Sequence, residues 1–158
     1  MLEVTLLLAL RSNNTVLLGR KKTGRLGMGT FNGPGGHREP GESLLECMVR
    51  ETREEIGLDV DPHMLTKCAV LNCYANGAVY MRVHVFLARD IPGEPVETES
   101  MKPHWWPVHQ LPLEHMFEAD ALWLPQVLKG ERILADLHYH KPGEGLGLVV
   151  YYPLTDEL

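Results

Sequence analysis

Glu51, Glu54 and Glu55 stand together in Arg50-Glu-Thr-Arg-Glu-Glu-Ile56. On a helix turning about 100° per residue, positions i, i+3 and i+4 share one face. Like charges at these spacings cost a bare helix roughly 0.2–0.5 kcal/mol per pair, so something should offset their repulsion. One reading is a solvated acidic face eased by Arg50 and Arg53. The other is a site for a hard divalent cation, because Mg2+ is held by a few carboxylates together with substrate phosphates. The glycines just upstream, in Gly33-Pro-Gly-Gly36, favour the second reading. Such a site suits attack of water on a phosphoryl centre. A bound metal neutralises phosphate charge and lowers the pKa of water, and a free carboxylate accepts the proton.

The elements that must position these groups follow from pattern. A helix is predicted from Ser43 to Ile56. Ser43-Leu-Leu-Glu46 matches a capping box, and Gly57 supplies a left-handed stop. Leu45, Met48, Val49, Thr52 and Ile56 form its expected core stripe. Before it, Gly24, Gly27, Gly29, Gly33, Pro34, Gly35 and Gly36 read as a functional loop, with a flexible linker as the alternative. Residues 4–10 and 15–20 read as a hairpin around Arg-Ser-Asn-Asn. Residues 79–88 alternate as a strand, with 68–74 expected to pair beside it. The Pro-rich, Glu-rich stretch 91–103 reads as an exposed acidic loop. A second helix is expected over 120–129, with Asp120 as cap and Pro125 bending it or lying near its first turn. Weaker strand patterns fall at 132–139 and 147–152. Strands flanking two helices without regular alternation argue against a doubly wound parallel sheet.

The totals set bounds. A chain of 158 residues with 44% hydrophobic and 23% charged residues reads as one ordinary soluble domain spanning 1–158. A net charge of -6 gives no footprint for a nucleic acid polymer. An acidic protein can still take a phosphorylated small molecule when a metal neutralises the local charge. Cys47, Cys68 and Cys73 lack zinc-type spacing and read as reduced thiols, with Cys47 in a core. The opening Met-Leu-Glu-Val-Thr-Leu-Leu-Leu-Ala-Leu fails as a signal peptide and reads as a first strand. The expectation is a cytoplasmic monomer with no membrane partner.

Gly36, five residues, Glu42, seven residues and then Arg50-Glu-Thr-Arg-Glu-Glu-Ile-Gly-Leu58 resembles the Nudix box. Only Thr52 departs, at a place for a bulky aliphatic residue. The resemblance implies the Nudix fold, an α/β/α sandwich with a curved mixed sheet between helices. It also implies metal-dependent hydrolysis of a nucleoside diphosphate linked to another group. Carried over, Glu51, Glu54 and Glu55 hold Mg2+, with Mn2+ as an alternative, or activate water. Arg50 orients these glutamates, and the Gly35 carbonyl adds a metal ligand.

Substrate choice lies outside the box. The rest of the chain looks most like the oxidised purine nucleoside triphosphate hydrolases, the MutT-homologue group acting on 8-oxo-dGTP and 2-hydroxy-dATP. The blocks that carry this likeness are Val16-Leu-Leu-Gly-Arg-Lys-Lys, Phe31-Asn-Gly-Pro-Gly-Gly, Val83-His-Val-Phe, Pro95-Val-Glu-Thr-Glu-Ser-Met-Lys-Pro and Met116-Phe-Glu-Ala-Asp-Ala-Leu-Trp-Leu-Pro. The likeness implies that Asn32 bonds the base, Phe117 stacks on it and Asp120 reads its polar edge. It places Thr5, Lys21, Pro34, Gly35, Gly36 and His37 among the substrate contacts. Each has a plainer reading: Asn32 as loop support, Phe117 as core, Asp120 as a helix cap and His37 as an exposed loop residue. The chain departs from the group where Ala119 replaces one of two neighbouring aspartates, where Pro34 replaces a bulkier residue, and where Ser100 replaces a late glutamate ligand. Glu99 or Glu97 is the expected stand-in for that ligand. Other candidate substrates are an undamaged dNTP, a methylated purine triphosphate or a nucleoside diphosphate derivative. A non-catalytic nucleotide-binding module is the remaining alternative.

Overall fold

The computed structural model describes residues 1–23 and 28–154. Gly24 and Gly27 of the glycine-rich stretch lie outside them. Its strands are β1 (Leu2–Arg11), β2 (Thr15–Leu17), β3 (Gly19–Lys21), β4 (Phe31–Asn32), β5 (Gly35–His37), β6 (Thr66–Ala75), β7 (Ala78–Arg89), β8 (Met101–Lys102), β9 (Trp105–Pro107), β10 (Ile133–Lys141) and β11 (Glu144–Pro153). The α-helices are α1 (Leu44–Ile56) and α2 (Asp120–Leu128), with single 3-10 turns at Pro62–Met64 and Leu113–His115.

The main sheet has eight strands in the order β11-β10-β6-β7-β1-β2-β9, with β5 also pairing β1. It is mixed: β1 runs parallel to β7 and β10 to β6, while β6 and β7 form an antiparallel hairpin. A smaller sheet has the order β4-β3-β8. The expected strand over 15–20 breaks at Leu18, whose N–H donates to the His104 carbonyl, and so feeds both sheets.

The period of two along β1 sorts its side chains between faces. Leu7 and Ala9 pack with Met48 and Ile56 of α1. Leu6, Leu8 and Leu10 pack with Trp123, Leu124 and Val127 of α2. The sheet is thus sandwiched between helices, as the resemblance implied.

In α1 the capping box forms in full, with Ser43 as N-cap bonded to Glu46, and Gly57 closes the helix at φ 70°. Leu45 is 40% exposed, against the predicted stripe. The sheet-facing row is Leu44, Met48, Thr52 and Ile56, at steps of four residues, with Val49 half-buried against it; Leu45 stands about 100° off that row. Thr52 tolerates full burial because its hydroxyl donates to the Met48 carbonyl at 2.7 Å.

Asp120 does not cap α2. The N-cap position falls on Ala119, and Asp120 Oδ2 instead accepts the Phe117 N–H. Pro125 lies inside the helix. The 91–103 loop is less exposed than predicted, since Ile91 and Met101 are buried. A Cβ at Gly19 would lie 2.3 Å from Met101 Cγ, so only glycine admits that packing.

Candidate active site

The glycine loop is pressed onto β1. A Cβ at Gly33 would sit 2.1 Å from the Leu7 carbonyl oxygen, and one at Gly35 would sit 1.9 Å from that of Thr5. Pro34 adds its own carbonyl, which accepts the Leu7 N–H at 2.7 Å. This fixes the loop against the start of α1. A Cβ at Gly36 would meet the Glu51 carboxylate at 2.5 Å, so the bare backbone is what admits that side chain.

Arg50 is the hub of the carboxylate face. Its Nε and Nη2 bind both oxygens of Glu42 at 2.7 and 3.0 Å, a two-point clamp. Nη1 donates to Glu51 at 2.8 Å and to Glu54 at 3.1 Å, and Nη2 also donates to the His37 carbonyl at 3.0 Å. The clamp holds the Glu42 carboxyl down at about 2, chiefly through Arg50. The guanidinium is in turn held firmly charged, chiefly by Glu42.

Glu55 lies deeper. Its Oε2 accepts the Gly35 N–H at 3.2 Å. Burial pushes its carboxyl up to about 7; Glu51 and Glu54 add to the rise, while the Gly35 N–H and Lys21 oppose it. Burial also raises the Glu51 carboxyl, with Arg50 opposing. The C-terminal end of α1 is pinned by Thr98, whose hydroxyl donates to the Glu55 carbonyl at 2.7 Å.

Among the described residues, no three His, Cys, Asp or Glu side chains close on one point. Glu51 and Glu54 are drawn to Arg50 and Glu55 to Gly35. The donor set nevertheless fits a hard divalent ion: it is all oxygen, and in Glu55 it holds a desolvated carboxyl raised further by like charge. A cation there would relieve both effects. Glu97 is tied to Lys22 at 3.0 Å, and Glu99 is exposed.

On the opposite face, Asp120 is 6% exposed. Its Oδ1 accepts the Trp123 indole N–H at 3.0 Å and its Oδ2 the Phe117 N–H at 3.2 Å. Burial raises its carboxyl to about 6. Phe117 is half-buried and belongs to neither apolar cluster, which removes the core reading. Asn32 Oδ1 supports the loop by accepting the Gly33 N–H at 2.9 Å, and its Nδ2 has no partner among the described residues. Its neighbour Phe31 packs on the cluster that contains Ala119 and Trp123.

The sequence-predicted residues therefore divide. Arg50, Glu51, Glu54, Glu55, Gly35, Gly36 and the His37 backbone meet at α1, and the positive charge of Lys21 is felt at Glu55. Asp120 opens α2, and Phe117 lies just before it. Thr5 belongs with the first group: its side chain faces α1, is 1% exposed and meets Cys47 Sγ at 3.3 Å, so it does not face the pocket of Asp120. The His37 side chain is exposed. Thr98 was missed, and no periodic signal marks a loop hydroxyl that reaches a helix end.

A glycine loop thus leads onto a carboxylate-bearing helix at one face of an α/β/α sandwich. A model of the NUDIX domain matches residues 1–127, and the chain belongs to the Nudix hydrolase family. It is 38% identical over 142 residues to the oxidized purine nucleoside triphosphate hydrolase of Danio rerio, covering 89% of this chain and 86% of that protein. It is 36% identical over 129 residues to the enzyme of the same name from Mus musculus, covering 81% and 80%. The crystal structure of a mutator MutT protein from Bacillus halodurans superposes with a TM-score of 0.79 at 26% identity, covering 98% of this chain and 100% of that one. Nudix hydrolases generally use a divalent metal ion. Among the described residues no helix is long and apolar enough to cross a membrane.

Proposed function

We propose that this protein is a Mg2+-dependent pyrophosphohydrolase that converts oxidised purine nucleoside triphosphates, of the 8-oxo-dGTP and 2-hydroxy-dATP type, to the monophosphate and pyrophosphate. The relatives named for that activity support the substrate class. The observation that carries the reaction is Glu55: a desolvated carboxyl held by the Gly35 N–H, beside two carboxylates that Arg50 orients.

Glu51, Glu54, Glu55 and the Gly35 carbonyl would hold Mg2+, or Mn2+ in its place. Bound there, the ion supplies charge neutralisation of the phosphates and a lowered water pKa. Glu55 accepts the proton of the attacking water. The α–β anhydride bond breaks, the water oxygen stays on one product, and the bridging oxygen leaves on the other. Arg50 keeps Glu51 and Glu54 in place, and Lys21 supplies positive charge near the phosphates.

Phe117 stacks on the base, Asn32 donates through Nδ2, and Asp120 reads the polar edge. A flat ring gives affinity, and a buried carboxylate penalises a base that leaves it unpaired. Ala119 in place of a second aspartate favours a narrower range of bases. It is also the observation behind the second reading, another nucleotide of the same chemical class. The free, buried Cys47, Cys68 and Cys73 support a reducing, cytoplasmic setting, and we take the protein to act as a monomer.

Pyrophosphate release from a nucleotide panel with Mg2+ tests the reading. Oxidised purine triphosphates should be turned over fastest. A preference for a diphosphate derivative or a methylated purine moves the assignment to the second reading, and nucleotide binding without turnover would sink both.

A further inference from the structure

We infer that Arg38, anchored by Glu3, is a positioning residue for the Arg50 cluster, an inference that rests on the hydrolytic reading above. Arg38 directly follows β5, and its backbone N–H donates to the Glu3 carbonyl at 2.9 Å. Its Nη2 meets Glu3 Oε2 at 2.8 Å, and its Nη1 donates to the Glu42 carbonyl at 3.2 Å. Glu3 is itself fixed from β7, because His84 Nε2 lies 3.3 Å from Oε1. Lys67 Nζ lies 3.1 Å from the other ring nitrogen of His84. With Lys67 donating to Nδ1, the imidazole carries its proton on Nε2 and donates to Glu3. Both Glu3 oxygens are then held by donors from separate parts of the chain.

The consequence reaches the site through Glu42. Its side chain clamps Arg50 at two points, and Oε2 also accepts the Glu39 N–H at 3.0 Å. Its backbone carbonyl is the atom that Arg38 holds. Arg38 therefore closes the turn of residues 38–42 onto the sheet, and Arg50 takes its place from a Glu42 that cannot drift. Misplacing a catalytic constellation by about 1 Å can cost about 100-fold in rate. Stability should respond far less: Arg38 and Glu3 have side chains 42% and 24% exposed, and ion pairs open to solvent add little to folding.

The test compares Arg38→Met, which keeps the aliphatic stem, with Arg38→Lys, Glu3→Gln and the double variant Arg38→Met/Glu3→Gln. Kinetics on an oxidised purine triphosphate, Mn2+ binding by electron paramagnetic resonance without nucleotide, and melting temperature are read in parallel. In Arg38→Met, kcat should fall about tenfold and Mn2+ affinity about threefold, with KM within about twofold. Its Tm should stay within about 2 °C of wild type. Arg38→Lys should recover part of the loss, and the double variant should be no worse than Arg38→Met. A kcat within about twofold of wild type, additive losses in the double variant, or a lysine variant as impaired as the methionine one with Tm falling alongside would overturn the inference. If the wild type released no pyrophosphate from any nucleotide, the functional reading would fall. The Mn2+ measurement, which needs no turnover, would then decide the positioning role by whether Arg38→Met weakens binding.

Discussion

Along β1 alternate side chains look into different environments. Leu7 and Ala9 lie under α1, on the face where Arg50 gathers Glu42, Glu51 and Glu54, while Leu6, Leu8 and Leu10 lie under α2, on the face where Asp120 sits in an apolar cluster. The first face spreads its charge over many partly exposed groups that share partners. The second concentrates polarity in a single buried carboxyl with two donors. In a shared network the loss of one member displaces its partners, so groups that touch no reacting atom still bear on the rate. A lone buried carboxyl has no substitute. On the function proposed above, reaction and base choice fall to opposite sides of one strand, by different physical means.

The largest expected effect comes from removing the proton acceptor of the first face. Glu55→Gln should lower kcat by about 10³-fold with little change in KM, read by pyrophosphate release. The same substitution should stabilise the metal-free protein above neutral pH. The folded pKa of Glu55, about 7, lies above its ordinary value of 4.5. The wild type therefore has its full contribution from this group below about pH 4.5 and loses it as pH rises through about 7, on the order of 3 kcal/mol. Denaturant melts of both proteins at pH 4.5 and pH 8 should show the gap opening only at pH 8. A constant gap would contradict the raised pKa.

Asp120→Asn should come next. It should lower kcat/KM for the preferred oxidised purine by about 10²-fold while sparing the turnover of poor substrates. An equal loss on all nucleotides would mean that Asp120 is structural, acting only through Phe117 and Trp123. Ala119→Asp should have a smaller effect, raising kcat/KM on a second oxidised purine by about tenfold. Because Ala119 is only 3% exposed, a new carboxylate there should also lower the melting temperature in the absence of nucleotide. Thr52→Val, which restores the aliphatic residue of the box, should leave kcat unchanged and move stability by less than about 1 kcal/mol.

Sequence reading served the two faces unequally for physical reasons. The α1 face is written locally: the capping box, Gly57, and the spacing of Arg50, Glu51, Glu54 and Glu55 act within one helix, where 3.6-residue geometry converts spacing into proximity. Leu45 was misplaced because a stripe read at mixed three- and four-residue steps does not say which row meets the sheet. The α2 face depends on contacts that no local period records. Asp120 was expected to cap a helix and instead reaches back to Phe117 and forward to Trp123. Thr5, a substrate contact by resemblance, is turned by strand alternation toward Cys47 under α1. The long-range links from Glu3 to Arg38 and from Thr98 to the end of α1 exist only after β1, β5 and the 91–103 loop have been brought together.

The most direct measurement is kcat/KM for 8-oxo-dGTP against dGTP, with products identified, for the wild type, Glu55→Gln and Asp120→Asn. A division of labour across β1 predicts monophosphate and pyrophosphate as products and a wild-type preference for the oxidised base. Glu55→Gln should lose rate on both nucleotides and keep their ratio, while Asp120→Asn should keep the reaction and lose the ratio. The same change in ratio for both variants, or a wild type that prefers dGTP, would contradict it.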